Sequence, residues 1–148
     1  MPSPERPART PPAGYSGTPL AAKLGIKAGA RVALVRAPAD FEEALQPLPP
    51  GVRLSRRLAT DLDLVLVFVT ARRQLERDWD RLTAALTPAG MLWVAWPKKA
   101  ARLPTDMTDN VVREVALPRG WVDTKVCAID EVWSGLRCVW RVANRPRG

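Results

Sequence analysis

The chain has 148 residues, of which 47% are hydrophobic and 26% are charged, and its length and composition are typical of a single globular domain. Its net charge of +8 favours anionic partners, while the absence of histidine excludes Ser–His–Asp triads, histidine general bases and histidine metal ligands. The two cysteines, Cys127 and Cys138, are too few for a four-ligand zinc site, so we expect no metal and two small core residues.

The hydrophobic residues are spread along the chain in short runs. No uncharged apolar stretch reaches the roughly 18 residues that a membrane-spanning helix needs. The N-terminus is rich in proline and has no apolar core of the kind found in secretory signal peptides. The sequence therefore predicts a cytoplasmic protein without a membrane segment. Its cysteines are predicted to be reduced.

Proline-rich and polar segments flank the region that is expected to fold. Residues 1–14 contain repeated prolines and little apolar surface, and residues 144–148 are also polar. Such segments cannot bury enough apolar area to order themselves, so both are predicted to be disordered tails. A single domain over residues 15–143 remains.

The first predicted elements are short. Thr18 and Pro19 are typical of a helix start, and Gly25 is typical of its end. Three arginines interrupt the apolar residues of the third element, which favours the edge of a sheet. After the first helix we predict a strand at 31–36, a helix at 40–45 and an edge strand at 52–58.

The strongest predictions lie in the middle of the chain. Residues 62–69 are almost all apolar, as in a parallel strand that is buried on both faces. Leu75, Trp79, Leu82 and Leu86 recur with helical spacing, which predicts a helix over 72–86. The remaining predicted elements are a strand at 91–96, a helix at 105–117 and two strands at 121–129 and 136–142.

The order of these elements predicts the fold class. Strands that alternate with helices indicate a mainly parallel sheet with helices on both faces. Only about five residues separate the last two strands, which is too short for a parallel crossover, so these strands form an antiparallel pair. We therefore expect a three-layer α/β, Rossmann-like domain with a mainly parallel sheet and an antiparallel C-terminal hairpin at one edge.

Polar residues follow several of the predicted strands. The ends of parallel strands open on one edge of an α/β sheet, where ligands bind, so these residues are expected to meet there. We call this edge the rim. The residues that form the candidate ligand site are Arg72, Arg73, Trp96, Lys98, Lys99, Asp130, Glu131, Trp133 and Ser134.

The candidate cations have two interpretations each. Lys98 and Lys99 could hold a phosphate or carboxylate, or they could lie on a solvated loop. Arg72 and Arg73 occupy a helix start, where positive charge opposes the helix dipole, so an anion between them is one explanation. A common and weak ion pair with Glu76 is the other, and it is favoured.

The other candidates are similarly open. Asp130 and Glu131 could act as an acid and a base, but a structural ion pair with the two lysines is favoured. Trp96 and Trp133 could stack on an aromatic ligand, although packing at the rim is favoured. Ser134 supplies turn chemistry.

Two segments resemble a known fold family. Residues 27–32 (KAGARV) and 82–94, which include LTPAG, are similar to Rossmann-like methyltransferase domains, here shortened by one strand–helix unit. The resemblance implies a glycine-rich turn after the first strand, where S-adenosylmethionine binds, and an acidic residue after the second strand. Residues 35–41 (VRAPADF) contain no glycine, Pro38 removes a backbone donor, and residues 55–57 (SRR) contain no acid. Ordinary methyl transfer is therefore disfavoured.

Four further motifs resemble an uncharacterised bacterial family that is known only as a domain of unknown function. They are YSGTPL at 15–20, WPKK at 96–99, VVRE at 111–114 and IDEVWSGL at 129–136. This resemblance covers almost the whole region that is expected to fold. It implies the fold and a bacterial, cytoplasmic origin, but it implies no activity.

Three functions follow, in order of preference. The first is a non-catalytic binding or regulatory domain that uses no cofactor and takes an anionic small molecule or a partner protein at the rim. The second is a divergent nucleotide- or S-adenosylmethionine-dependent transferase with Asp130 or Glu131 as its base. Nucleic-acid binding ranks third, because no recognition motif accompanies the basic residues Arg53, Arg56, Arg57, Arg72 and Arg73. The oligomeric state is not indicated.

Overall fold

Six strands form one mixed sheet in the computed structural model, which describes residues 18–141. The strands are β1 (Arg31–Val35), β2 (Arg53–Ser55), β3 (Leu62–Phe68), β4 (Leu86–Pro97), β5 (Trp121–Ala128) and β6 (Trp133–Trp140). The helices are α1 (Leu20–Leu24), α2 (Phe41–Ala44), α3 (Arg72–Ala84) and α4 (Asp109–Ala116), with 3-10 turns at Lys99–Ala101 and Leu117–Arg119. The tails predicted at 1–14 and 144–148 lie outside the described residues.

The strand order is β2-β1-β3-β4-β6-β5. Strands β1 to β4 pair in parallel, and β6 runs antiparallel to both of its neighbours, β4 and β5. The C-terminal hairpin therefore forms one edge of the sheet and the short, charged β2 forms the other. This arrangement confirms the predicted fold class and the edge position of β2.

Two apolar layers cover the sheet because its central strands are apolar on both faces. In β3, Val65 and Val67 face the layer under α3 and α4, and Leu64 and Leu66 face the layer under α1 and α2. All four are buried. We call the two sides the α3–α4 face and the α1–α2 face.

Several boundaries differ from the sequence prediction, and the contacts at three of them are informative. Strand β4 begins at Leu86 because that residue pairs with Leu62, so α3 ends at Ala84. Strand β6 begins at Trp133, which leaves only residues 129–132 for the turn. Helix α4 begins at Asp109 rather than Thr105, because the Thr105 hydroxyl donates to the Thr70 carbonyl 2.6 Å away instead of capping a helix.

The cysteines lie on opposite faces of the hairpin. Cys138 is buried on the α3–α4 face, and Cys127 packs against the α1–α2 layer. Both are free thiols. Between residues 18 and 141 no helix is long and apolar enough to cross a membrane.

Candidate functional site

The structure brings the segments after β4 and before β6 together at the rim. Pro97 pairs with Trp133, and the Lys98 amide donates to the Val132 carbonyl at 2.8 Å. Because β6 is antiparallel, its first residues lie beside the last residues of β4. The rim therefore places 96–99 next to 130–134, while the arginines at the start of α3 follow the neighbouring strand β3.

The turn after β1 is closed by an arginine from the end of β2. The Arg56 guanidinium donates to the carbonyl oxygens of Ala37, Pro38 and Ala39 at 2.6–3.1 Å. It also binds both carboxylate oxygens of Glu42, at 2.7 and 2.8 Å. These hydrogen bonds lower the pKa of Glu42 from its ordinary 4.5 to about 2. We call residues 36–40, held by Arg56 and Glu42, the closed turn.

The closed turn begins with a strained residue. Arg36 has φ +57°, a left-handed conformation that glycine adopts without cost and other residues rarely adopt. Its side chain compensates, because Nε donates to the Phe68 carbonyl at 3.0 Å and Nη1 lies 3.0 Å from Asp78 Oδ2. Arg36 thus makes the turn for which the sequence offers no glycine.

Asp78 is the one buried charged residue in the described part of the chain, at 5% exposure on α3. Arg36, Arg77 and Arg81 lie within 3.0–3.6 Å of its carboxylate. Burial raises the pKa of Asp78, but hydrogen bonds from Arg77 and Arg36 outweigh it, so the pKa lies below its ordinary 3.8. The carboxylate is therefore ionised and ties β1 to α3.

The start of α3 carries an anion that belongs to the chain itself. The Arg72 amide donates to Asp106 Oδ1 at 2.7 Å, and Gln74 Oε1 accepts from the Thr70 amide at 2.9 Å. The Arg72 side chain binds Glu76 at 2.9 Å and Glu114 at 2.6 Å. The favoured pairing with Glu76 is thus present, and Arg72 is not left over for an external anion.

On the β3–β4 side of the rim, four other cations have no such partner among the described residues. Arg73 and Lys99 are exposed, Lys98 is half-buried, and Arg102 is exposed in the loop after β4. Within residues 18–141 none of the four forms an ion pair. We call Arg73, Lys98, Lys99 and Arg102 the outer rim cations.

The two adjacent acids do not form the ion pair that the sequence favoured. Asp130 Oδ1 accepts from the amides of Val132 and Trp133, both at 2.8 Å, so its carboxylate holds the turn between β5 and β6. Glu131 is exposed and has no ion-pair partner among the described residues. The expected pairing with Lys98 and Lys99 is wrong because the tight turn uses Asp130 for its own amides.

The two candidate tryptophans lie on opposite faces of the sheet. Trp96 is 7% exposed and packs in the α3–α4 layer. Trp133 is half-buried against the α1–α2 layer, edge-on to Phe68 with ring centroids 4.9 Å apart. The two rings therefore cannot stack on one ligand, and both contribute to packing. Ser134 lies in strand β6 opposite Trp96 rather than in the turn.

Gly135 permits close packing beneath the rim. A Cβ atom at this position would lie 2.8 Å from Ile129 Cδ1 and 3.2 Å from Trp93 Cε3. The Trp93 indole is buried, and its Nε1 donates to the Leu24 carbonyl at 2.8 Å. A side chain at residue 135 would therefore press on Ile129 and on the ring of Trp93.

Sequence reasoning missed the residues that close the rim. Their interaction partners are distant in sequence, and the pattern of residue types along the chain does not show which distant residues are in contact. One signal was present, because Arg56 stands at the strand end where the resemblance leads one to expect an acid. The missed residue that closes the turn after β1 is Arg56. The missed residues that form ion pairs or hydrogen bonds at the rim are Arg36, Glu42, Asp78 and Asp106.

The chain is similar in structure to several solved proteins. These include a possible exported protein from Bordetella parapertussis (14% identity, TM-score 0.55, covering 79% of this chain and 63% of that chain) and a SAM-dependent methyltransferase from Aquifex aeolicus (13%, 0.52, 80% and 86%). A third is DhpI in complex with SAH (12%, 0.58, 83% and 81%). No protein-family model and no curated protein matches the sequence. At these identities the similarity shows a Rossmann-like, methyltransferase-like fold.

Proposed function

We propose that this chain is a non-catalytic, cytoplasmic bacterial binding domain on a methyltransferase-like scaffold, and that it takes an anionic ligand or an acidic segment of a partner protein at the rim. The closed turn is the observation that carries the proposal. The turn after β1 is where the methyltransferase resemblance places S-adenosylmethionine, and here Arg56 and Glu42 fill it. The outer rim cations supply the positive charge for a partner.

The residues of the closed turn do not fit S-adenosylmethionine. A glycine-rich turn offers backbone amides and room for close approach, whereas this turn directs three carbonyl oxygens at a guanidinium. Pro38 has no amide to offer. The acid that would hold the ribose is replaced by Arg56, which has the opposite charge. No methyl transfer is therefore assigned to the chain.

The distribution of free charge supports an extended acidic ligand. The anion positions close to the fold are already filled by Asp106, Glu76 and Glu114. The outer rim cations lie on two separate segments, after β3 and after β4, and three of them are exposed. A ligand that touches both segments must span the surface, as an acidic peptide does and a small buried cofactor does not.

The first experiment tests the absence of cofactor binding. The full chain is heated with and without S-adenosylmethionine or S-adenosylhomocysteine at about 1 mM, and unfolding is followed by fluorescence. No shift is expected. A ligand at 100 times its dissociation constant would add about 2.7 kcal/mol to the free energy of unfolding, which is readily seen. Such a shift would overturn the proposal in favour of a divergent transferase.

The second experiment tests the rim. Fluorescein-labelled hexaglutamate is titrated with the wild type and with the triple variant Arg73→Ala, Lys98→Ala, Lys99→Ala at low salt. Loss of these three charge contacts is expected to weaken binding about tenfold. The matched control Lys27→Ala, Arg31→Ala, Arg53→Ala also removes three charges that form no ion pair within residues 18–141, but at the amino ends of β1 and β2. Equal weakening by both variants would show non-specific attraction and overturn the rim assignment.

A further inference from the structure

The α1–α2 face carries a second group of cations on the hairpin, away from the rim. Lys125 of β5 lies directly opposite Arg137 of β6 in the antiparallel register. Both point to the α1–α2 face, because Lys125 Nζ donates to the Lys23 carbonyl of α1 at 3.3 Å and Arg137 Nη1 contacts Met91 Sδ at 3.7 Å. Helix α1 covers only five residues, so this part of the sheet is partly open.

No carboxylate neutralises this pair within the described residues. Neither Lys125 nor Arg137 forms an ion pair there. The nearest acid on β5, Asp123, binds Arg113 of α4 at 3.0 Å and so lies on the other face. Like charges directly opposite each other on paired strands are destabilising, so a fold that keeps them has an unused attraction for an anion.

The surrounding contacts hold the pair in place. Arg137 Nε donates to Thr124 Oγ1 at 2.8 Å, which fixes the guanidinium beside the strand. The Lys23 ammonium lies close by, donating to the Ala128 carbonyl at 3.3 Å. Burial raises the pKa of the Cys127 thiol, and the positive charges of Lys23, Lys125 and Arg137 act in the opposite direction. Cys127 therefore lies among these cations and can report on them.

We infer that Lys125 and Arg137 form a phosphate-binding site on the α1–α2 face of the hairpin, independent of the rim. A phosphate suits this pair better than a carboxylate does, because a dianion can neutralise both cations and its oxygens can accept from Arg137 Nη2 and the Lys125 ammonium together. The site is four residues along β6 from Trp133, or about 13 Å from the rim. The phosphate could belong to a small molecule or to a nucleic-acid backbone.

The test uses Cys127 as a footprint. The full-length protein is treated with iodoacetamide, and the rate of Cys127 alkylation is measured by mass spectrometry. Phosphate bound between Lys125 and Arg137 shields the thiol and is expected to slow alkylation at least threefold. Tripolyphosphate, single-stranded oligo(dT) and hexaglutamate are compared at equal total charge. Slowing by tripolyphosphate alone indicates a small phosphate ligand, and stronger slowing by oligo(dT) indicates a nucleic-acid backbone.

Two controls keep the test decisive. Lys125→Glu, an exposed substitution, should abolish the footprint, whereas Lys27→Glu changes net charge equally and should preserve it. Circular dichroism confirms that both variants fold. If no phosphate probe slows Cys127 at about 10 mM, if hexaglutamate slows it equally, or if Lys27→Glu has the same effect as Lys125→Glu, the site is overturned. The rim experiment does not involve these residues, so the two proposals can fail separately.

Discussion

The two halves of the rim handle charge in opposite ways. Over β1 and β2, Arg36 and Arg56 are bound by carboxylates and carbonyl groups of the same chain, in the closed turn and at Asp78. From the end of β3 to β6, the outer rim cations and Glu131 have no ion-pair partner in the part of the chain that the structure describes. The first half uses charge to hold elements together, and the second half presents charge to solvent.

The same sheet therefore carries both charges that stabilise the fold and charges that can bind a ligand. In an α/β sheet the carboxyl ends of the parallel strands reach the same edge, and here the start of the antiparallel β6 lies beside them, so position alone marks both halves as candidate sites. Only the pairing of side chains distinguishes them. Mutations in the two halves should therefore differ in kind, and the following variants are ordered by their expected effect on stability.

Asp78→Asn should have the largest effect. It removes a buried carboxylate that three arginines share and leaves Arg36 in a strained turn without its counter-charge. A loss of about 2–3 kcal/mol in the free energy of unfolding is expected from urea denaturation. Asp80→Asn on the exposed side of the same helix is the control and should change it by less than about 0.5 kcal/mol. Equal effects would mean that Asp78 is not a structural charge.

Gly135→Ala tests whether the open half is held by packing instead of charge. The added methyl group meets Ile129 Cδ1 and the Trp93 ring, so a loss of about 1–2 kcal/mol is expected. Ile129→Val removes the Cδ1 atom that the methyl group would strike first. The double variant should therefore lose less than the sum of the single variants in a mutant cycle. Simple additivity would contradict the contact.

Arg56→Ala should open the closed turn and lower the melting temperature in a pH-dependent way. The folded-state pKa of Glu42 is depressed to about 2, so the stabilisation is fully present above its ordinary 4.5 and is lost as pH falls towards 2. The difference in melting temperature between wild type and Arg56→Ala should narrow from about pH 6 to about pH 3. A difference that stays constant over this range would show that the Glu42 ion pair does not contribute.

Lys98→Ala with Lys99→Ala should have the smallest effect on stability. Neither side chain has an ion-pair partner among residues 18–141, so the free energy of unfolding should change by less than about 0.5 kcal/mol. Hexaglutamate binding should nevertheless weaken. A large loss of stability would show that these lysines support the fold and would remove the contrast between the two halves.

The fold could be predicted from the sequence, but the pairing of its side chains could not. The apolar run of β3 and the short final connection were sufficient for the sheet and its antiparallel hairpin. Arg72, by contrast, meets Glu114 and Asp106, which are 42 and 34 residues away, and no spacing rule links them. Periodicity indicates which face a residue covers, whereas an ion pair depends on how two elements are packed.

The tryptophan prediction shows the same limit. Trp96 and Trp133 both stand at strand ends, but whether they share a face depends on the register of β6 against β4. The structure begins this strand at residue 133, and its register places Trp133 beside Pro97 rather than Trp96. Because successive residues in a strand point to opposite faces, a shift of one residue in register decides which layer receives the ring.

Asp106 acts as a competitor that the chain carries with it. Its carboxylate already accepts a hydrogen bond from the Arg72 amide at the start of α3. Because Asp106 is part of the same chain, its carboxylate stays close to that amide. A tethered group has an effective local concentration in the millimolar range or above, so a free phosphate or carboxylate at micromolar concentration would rarely displace it. The start of α3 is therefore closed to free anions that are present only at low concentration. Only a ligand that draws most of its affinity from other contacts could enter, and loss of this carboxylate would turn a closed position into an open one.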